Sequence, residues 1–137
     1  MKEGFTIVDT ISITSDYAAV SKVETLVDKI CSELGVQEDY YGNVLIAVTE
    51  AVNNAIQHGN IFDNDLVVYV SVGDNPEEFC FTVRDQGRGF DFEHLPDPTS
   101  PENIEKENGR GIFLMRSLAD EVEFDDKGCT VNIYFRK

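Results

Sequence analysis

The sequence predicts an α+β fold, a two-layer sandwich in which helices cover one face of a mixed, mostly antiparallel β-sheet. Two helical patterns follow the first strand directly, whereas a doubly wound parallel sheet needs regular alternation of strands and helices. The later strands come in pairs joined by short turns, which is typical of antiparallel hairpins. The chain has 137 residues, 42% of them hydrophobic, which is enough for one core. We therefore expect a single domain over residues 1–137.

The first part of the chain predicts one strand and two helices. Apolar residues alternate between residues 5 and 13, which is the period of a half-buried strand. Apolar residues then recur every three or four positions over residues 20–34, after several N-cap oxygens and before Gly35, which predicts a helix with a glycine stop. The same spacing predicts a second helix over residues 38–58, with Gly59 as its terminator.

The rest of the chain predicts strands, a long loop and one short helix. Runs of β-prone residues occupy positions 66–72, 79–84, 121–124 and 130–135. The first two runs flank a turn at residues 73–76, and the last two flank a turn at residues 126–128. Residues 85–110 are rich in glycine, proline and charge, which predicts a loop that is functional or disordered. Residues 112–118 return to helical spacing.

Charge and cysteine content limit the partners and the compartment. The chain carries 26 acidic and 11 basic residues, a formal net charge of −15. Such a field repels phosphate backbones and anionic membranes, which excludes nucleic acid and membrane surfaces as partners, whereas it attracts a basic protein. Cys31, Cys80 and Cys129 are widely spaced, which favours core thiols over disulfides or a zinc site. Without a signal-peptide pattern or a membrane-length apolar run, we expect a cytoplasmic protein.

The second predicted helix carries polar residues that core packing does not explain. Glu50, Asn54 and His58 are spaced by four and so share one stripe, beside Asn53 and Gln57. A solvated helix face is the alternative, but such faces more typically use Lys, Glu and Gln, because Asn is a poor helix former. A carboxylate and an amide one turn apart can place a general base beside a hydrated Mg²⁺.

Two glycine-containing motifs follow. In D-Q-G-R-G at residues 85–89, a carboxylate at a strand end can accept the exocyclic amine of a purine, and the glycines let a ligand approach the backbone. In N-G-R-G at residues 108–111, glycines and a cation stand directly before the predicted helix, whose N-terminus favours phosphate. Taken singly, these motifs are also typical of a plain turn and of a helix cap.

Together, in this order and spacing, the three motifs resemble the GHKL ATPase superfamily of gyrase, histidine kinases and mismatch-repair proteins. They are E-A-V-N-N-A-I-Q-H-G, V-R-D-Q-G-R-G-F and N-G-R-G-I. Within that superfamily, the short chain and the first motif are similar to the anti-sigma-factor serine/threonine kinases of bacterial partner-switching systems. The resemblance covers nearly the whole chain and implies the histidine-kinase-like ATPase fold.

The resemblance implies a role for each motif residue. Asn54 would coordinate the Mg²⁺ that bridges the ATP phosphates, and Glu50 would act as general base on the attacking hydroxyl. Asp85 would bind the adenine amino group. Gly87 and Gly89 would shape the adenine pocket. The phosphates would be wrapped by a lid that contains Gly109, Arg110 and Gly111. The expected cofactors are therefore ATP and Mg²⁺.

The implied function is an ATP- and Mg²⁺-dependent serine/threonine kinase that acts as an anti-sigma factor, or a similar regulator, and phosphorylates a small anti-anti-sigma protein. A sigma factor or another regulated protein would be its second partner, and the resemblance also implies a homodimer. Residues 92–108 would order over the phosphates as a lid, but residues 97–106 lack the T-T-K segment of some such kinases. Two alternatives stay open: a nucleotide-gated binding module without kinase activity, and a detached histidine-kinase ATP domain.

Overall fold

The computed structural model describes residues 1–87, 107–125 and 128–137, which form helices and strands in the predicted order. The strands are β1 (Thr6–Thr14), β2 (Val67–Asp74), β3 (Glu78–Arg84), β4 (Glu121–Asp125) and β5 (Thr130–Arg136). The helices are α1 (Val20–Glu33), α2 (Glu38–Asn54) and α3 (Glu107–Leu118). A 3₁₀ turn at Tyr17–Ala19 precedes α1, and a π-helical turn at Ala55–Gly59 follows α2.

The five strands form one sheet in the order β1-β2-β3-β5-β4, and every adjacent pair is antiparallel. β5 therefore lies between β3 and β4, with Val131 opposite Val83. Alternate residues of β2, β3 and β5 join residues of α1 and α2 in one buried cluster, so the helices cover a single face of the sheet. The predicted α+β class, with helices on one face of an antiparallel sheet, is confirmed.

The start and end of α1 follow the sequence signals. The side chain of Asp16 accepts a hydrogen bond from the amide of Ala19 at 3.1 Å, which caps the 3₁₀ turn that leads into the helix. Gly35 follows the helix with φ = +67°, a left-handed conformation that glycine adopts without steric cost. Both signals are local, and both predictions are confirmed.

α2 ends before the predicted boundary at His58. Its α-helical residues stop at Asn54, and Ala55–Gly59 form one π-helical turn. Because a π turn contains more residues than an α turn, later positions rotate away from the stripe that Glu50 and Asn54 begin. The predicted stripe is therefore wrong at His58, which is absent from the lining of the cavity beside Glu50.

α3 begins at Glu107, so Gly109, Arg110 and Gly111 lie inside the helix and not ahead of it as predicted. The low helix propensity of glycine argued for a loop, but α3 packs against α2 through the buried Gly111. Tertiary packing thus overrides local propensity. A ligand that contacts Arg110 and Gly111 would therefore lie beside the first turns of α3 and not beyond the N-terminal end of the helix.

The turn between β2 and β3 is also shifted from its predicted place. Gly73 and Asp74 belong to β2, and the turn is closed by Asn75, whose side-chain oxygen accepts the amides of Glu77 and Glu78 at 2.9 and 2.7 Å. A Cβ on Gly73 would lie 2.3 Å from the sulfur of Met1, so the Met1 side chain packs directly against the backbone of the strand and would have to move for a larger residue. The glycine marks a close approach and not a turn.

Three sequence predictions concern residues outside the described ranges: Gly89, most of the 92–108 lid, and turn positions 126 and 127. Within the described ranges, no helix has both the length and the apolar character that crossing a membrane requires.

Candidate active site

The C-terminal half of α2 and the start of α3 enclose a polar cavity of about 370 Å³. It is lined by Tyr17, Glu50, Asn53, Asn54, Gln57, Arg110, Gly111 and Leu114. Gly111 is the point of closest approach, since a Cβ there would lie 2.9 Å from Oε2 of Glu50 and 3.0 Å from Nδ2 of Asn54. Glycine at this position therefore lets α3 approach the carboxylate and the amide of α2.

The side-chain nitrogen of Asn54 lacks a hydrogen-bond partner in the described part of the protein. Its Nδ2 atom is buried and makes no hydrogen bond there. An unsatisfied buried polar group costs stability, so native proteins keep few of them and usually for a reason. An amide whose oxygen faces a cation, or whose nitrogen faces a phosphate, satisfies such a position. The residue therefore fits a ligand that contains a metal ion or a phosphate.

Asp85 follows β3 and is held from two sides. Its side chain is only 6% exposed, and its Oδ1 accepts the amide of Gly87 at 2.9 Å. Its own amide donates to the carbonyl of Cys129 at 2.9 Å, next to β5. Burial raises the pKa of the Asp85 carboxyl above its usual value, opposed by hydrogen bonds from the Gly87 N–H and the Cys129 thiol. The carboxyl is thus a fixed acceptor in a weakly solvated position.

Two glycines allow the turn after β3 to contact the end of α2. A Cβ on Gly59 would lie 2.4 Å from both Cγ and Oδ2 of Asp85. A Cβ on Gly87 would lie 1.8 Å from the carbonyl oxygen of Gly59. The carboxylate of Asp85 therefore rests against bare backbone, and neither glycine has room for a side chain.

Asn60 ties this turn to the rest of the domain. It is 2% exposed, and its Oδ1 accepts the amide of Gln86 at 2.8 Å. Its Nδ2 donates to Oγ of Ser15 at 2.9 Å and to the carbonyl of Val67 at 3.0 Å. Gln86 returns to the same strand end, because its Oε1 accepts the amide of Val67 at 2.8 Å. These hydrogen bonds fix the position of the turn that carries Asp85 relative to the end of α2 and the start of β2.

Asn54 and Asp85 line one small cavity of about 20 Å³ between α2, α3 and the sheet. Its other walls are Ala51, Ala55, Val83, Met115, Phe124, Gly128, Cys129 and Val131. This space holds about one water, so it marks where the two polar groups meet and not the outline of a large ligand. Since Asn54 also lines the larger cavity, the two cavities adjoin at this side chain.

The structure therefore brings together most of the residues that the motifs indicated. Glu50, Asn54, Arg110 and Gly111 share the larger cavity, and Asp85 joins Asn54 in the smaller one. Gly87 supports Asp85, and Gly109 lies in α3 directly before Arg110. Gly89 lies outside the described residues. In the described part of the chain, no three His, Cys, Asp or Glu side chains form a metal-binding group of their own.

Sequence reasoning missed three residues that shape the site. The sequence pattern indicates only a helix terminator at Gly59 and a core thiol at Cys129, and it indicates no role for Asn60. The thiol of Cys129 in fact lies 3.2 Å from the carbonyl oxygen of Gly87 and is partly exposed. The position of Gly59 at the end of the first motif was the available signal. Nothing local indicated Cys129 or Asn60.

The geometry agrees with comparisons to known proteins. Residues 13–135 match the family model of the histidine kinase-like ATPase domain. The chain belongs to the histidine kinase-like ATPase family. Among its relatives, the serine-protein kinase RsbW of Bacillus licheniformis is 37% identical over 112 residues, which cover 76% of this chain and 70% of the relative. The serine-protein kinase RsbW of Staphylococcus epidermidis is 30% identical over 128 residues, which cover 86% and 80%.

A solved structure shows the same fold for this histidine kinase-like ATPase. The structure of the RsbU and RsbW domains of Rv1364c from Mycobacterium tuberculosis superposes with a TM-score of 0.65 at 18% identity. The match covers 94% of this chain and 32% of that longer chain. The resemblance drawn from the three motifs is confirmed, and the name of the relatives agrees with the predicted serine/threonine kinase activity. ATP as the nucleotide follows from the family.

Proposed function

We propose that this chain, as a single domain over residues 1–137, is a Mg²⁺-dependent serine/threonine kinase of a partner-switching system. It transfers the γ-phosphoryl group of ATP to a hydroxyl of a small anti-anti-sigma protein. The observation that carries the proposal is the placement of Glu50 and Asn54 against Gly111 in one cavity, which adjoins at Asn54 a second cavity that contains Asp85. Asn54 thereby stands in both cavities, with the acid Glu50 in one and the purine acceptor Asp85 in the other.

Asp85 anchors the base of the nucleotide in this proposal. Its carboxyl accepts a hydrogen bond from the adenine amino group, in a position already stripped of water. The backbone contact between Gly59 and Gly87 prevents the carboxyl from retreating. Gly89 is proposed to shape the adenine pocket with Gly87. Hydrogen bonds to a charged, buried acceptor are strong, so this one contact favours adenine over a base with a carbonyl at that position.

Asn54 and the start of α3 hold the phosphate end. The unpartnered Asn54 amide and the absence of a Cβ at Gly111 fit a metal-bound triphosphate between the two helices. Mg²⁺, when bound, neutralises the phosphate oxygens and stabilises the charge of the transferring group. Arg110 lines the same cavity and adds a cation. Gly109, directly before it in α3, is proposed as part of the same phosphate-binding segment. The amides in the first turn of α3 add the positive end of the helix dipole.

Glu50 lies beside the amide that holds the phosphates and acts as the general base. It takes the proton of the substrate hydroxyl while the hydroxyl oxygen bonds to the γ-phosphorus and the bond from that phosphorus to ADP breaks. Phosphoryl transfer depends mainly on positioning and charge, so a base within one helical turn of the phosphate-binding amide meets the main requirement.

The partner proteins follow from the same proposal. The unphosphorylated antagonist competes with a sigma factor, or another regulated protein, for the kinase, and phosphorylation frees the kinase for that client. The net charge of −15 steers basic protein surfaces toward it. The protein acts as a homodimer in the cytoplasm. In that compartment the buried thiols of Cys31 and Cys80 stay reduced, and burial raises the pKa of each thiol to about 11.

The test is transfer of labelled γ-phosphate from ATP to purified anti-anti-sigma proteins of the native organism. Glu50→Gln keeps the shape of the side chain and should lower the rate of transfer by about 10²–10⁴ while ATP binds with unchanged affinity. Glu24→Gln, at an exposed position of α1, is the matched control and should transfer normally.

Normal transfer by Glu50→Gln would remove the assigned base. ATP binding by the wild type without any transfer would identify a nucleotide-gated binding module instead. An acid-labile phosphoprotein product would identify transfer to histidine.

A further inference from the structure

An apolar turn stands beside the candidate active site and faces solvent. The turn consists of Ile61 and Phe62, which follow the π-helical turn at the end of α2 and are 72% and 47% exposed. Single exposed apolar residues are common on protein surfaces, but two large consecutive ones in a chain of strongly acidic composition need an explanation. We name these two residues the 61–62 turn.

The backbone of the 61–62 turn is strained. Ile61 has φ = +51° and Phe62 has φ = +55°, and they are the only non-glycine residues with positive φ among those the structure describes. Side chains branched at Cβ rarely adopt this conformation, because the Cβ approaches the neighbouring carbonyl oxygen. Hydrogen bonds hold the turn in place, from the Phe62 amide to the Ile56 carbonyl at 2.9 Å and from the Asp63 amide to the Asn60 carbonyl at 3.0 Å. Neither stability nor solubility is served by this choice of residues, and strain of this kind concentrates at functional sites.

A contact between two rings connects this turn to the active-site cavity. The ring of Phe62 meets the ring of Tyr17 edge-on, with centroids 5.1 Å apart. Tyr17 lines the cavity that contains Glu50, and its hydroxyl donates to Oε1 of Gln57 in the wall of that cavity at 3.1 Å. Tyr17 is itself 50% exposed, so one continuous apolar surface leads from Ile61 to the mouth of the cavity.

We propose that Ile61, Phe62 and Tyr17 form the docking surface on which the protein substrate rests while its hydroxyl enters the cavity beside Glu50. This inference rests on the proposed kinase function. A protein substrate must cover the mouth of that cavity to deliver a side chain into it, and this apolar surface borders the mouth.

Charge next to the docking surface defines the occupant further. Asp63 and Asp65 lie within three residues after the 61–62 turn and are exposed, and the partly exposed Asp16, whose carboxylate caps the 3₁₀ turn, directly precedes Tyr17. The partner therefore carries an apolar side chain near its phosphorylated serine or threonine, flanked by lysine or arginine. A second copy of this acidic chain would be repelled at the same place.

The experiment uses the full chain and, as probe, the purified anti-anti-sigma protein of the native organism that the wild type phosphorylates best. Ile61→Asn removes the apolar side chain, and asparagine tolerates positive φ. We expect the KM for the protein substrate to rise about tenfold, with kcat and ATP affinity unchanged, because a docking residue acts on binding and not on the chemical step. The melting temperature should stay level or rise, since strain is relieved. Phe62→Ala should raise the same KM.

Ile7→Asn is the matched control, since Ile7 is 55% exposed on the edge strand β1. It should leave the KM unchanged. An unchanged KM in both turn variants, with normal transfer by the wild type, would overturn the docking surface and leave the kinase function intact. A change of oligomeric state in light scattering without a change in KM would assign the surface to a second copy and overturn the proposal too.

If the wild type transfers no phosphate to any such protein, the proposed function fails, and direct calorimetric binding of the same proteins in the presence of ATP decides the docking surface separately. Binding that Ile61→Asn weakens about tenfold supports the surface. Equal binding by both chains, or none, rejects it.

Discussion

Gly87→Ala tests the close backbone contact on which the nucleotide site depends. The added Cβ would lie 1.8 Å from the carbonyl oxygen of Gly59. Both atoms are tied to backbone, so the turn after β3 and the end of α2 must separate by roughly 1 Å, a rearrangement of the kind that costs about 1–3 kcal/mol in packed interiors. Two hydrogen bonds of Gln86, from its amide to Oδ1 of Asn60 and from the amide of Val67 to its Oε1, join the turn to the neighbouring segments and would lengthen together.

The magnitude follows from these two effects. With overpacking of about 1–3 kcal/mol and partial loss of bonds that contribute about 1 kcal/mol each, the free energy of unfolding should fall by about 2–4 kcal/mol. Asp85 moves with the turn, so the bond that we propose between Asp85 and the adenine amine would be lost as well. A hydrogen bond to a charged group contributes about 1.5–3 kcal/mol, so ATP affinity should fall by about 10- to 100-fold.

Urea unfolding and titration calorimetry with ATP measure the two quantities separately. Gly42→Ala is the matched control, because Gly42 lies inside α2 with nothing within 4 Å of the added Cβ. That substitution should stabilise the protein by about 0.5–1 kcal/mol and leave ATP binding unchanged. If Gly87→Ala unfolds and binds ATP like the wild type, the two backbones do not pack as described and the reasoning is refuted.

Further predictions concern the polar side chains of the site. Asp85→Asn should stabilise the protein at pH 7 and weaken ATP binding at least tenfold. The raised pKa of Asp85 makes its ionised carboxyl a cost to folding, which appears as pH rises through that pKa and vanishes below the unfolded-state value near 3.8. Unfolding curves at pH 7 and pH 3.5 should therefore show the greater stability of the variant only at pH 7. Asn54→Ala should change the free energy of unfolding by less than about 1 kcal/mol, because it removes an unpaired buried amide, yet it should abolish the Mg²⁺ dependence of ATP binding in calorimetry. A large loss of stability in Asn54→Ala would instead reveal a structural role. Asn60→Ala should lower the free energy of unfolding by about 2–4 kcal/mol in urea titrations, because it removes three hydrogen bonds of a buried amide, to Oγ of Ser15, the Val67 carbonyl and the Gln86 amide, which contribute about 1 kcal/mol each.

Local chemistry decided which elements could be predicted. A cap at Asp16 and a left-handed Gly35 are properties of a few adjacent residues, so the ends of α1 were visible in the sequence. The start of α3 was not, because Gly109 and Gly111 disfavour a helix locally and only packing against α2 makes one there. The predicted position of the β2–β3 turn is wrong for the same reason, because Gly73 lies against the side chain of Met1, 72 residues earlier in the sequence.

The candidate site was predictable only in part. Glu50 and Asn54 share a cavity because they lie one α-helical turn apart, which spacing alone indicates. The π-helical turn that removes His58 from their stripe depends on how the chain leaves α2, and no propensity encodes it. The approach of Gly59 to Asp85 joins two distant segments, so only the resemblance to a family suggested that they meet. No local sequence pattern encodes the contact between the end of α2 and the turn after β3.

The interior position of β5 affects when the domain can complete its sheet during synthesis. β5 follows β1 to β4 in the chain and so emerges from the ribosome after them, yet it pairs with both β3 and β4 and follows the carbonyl that receives the Asp85 amide. A nascent chain that lacks it has an open strand edge at β3, exposed to aberrant pairing with other chains. A ligand that binds at Asp85 cannot serve as a template for such a chain, because the segment that holds the Asp85 amide has yet to emerge. Synthesis must therefore pass β5 before this part of the domain forms, and chains truncated ahead of β5 should depend on chaperones or be degraded.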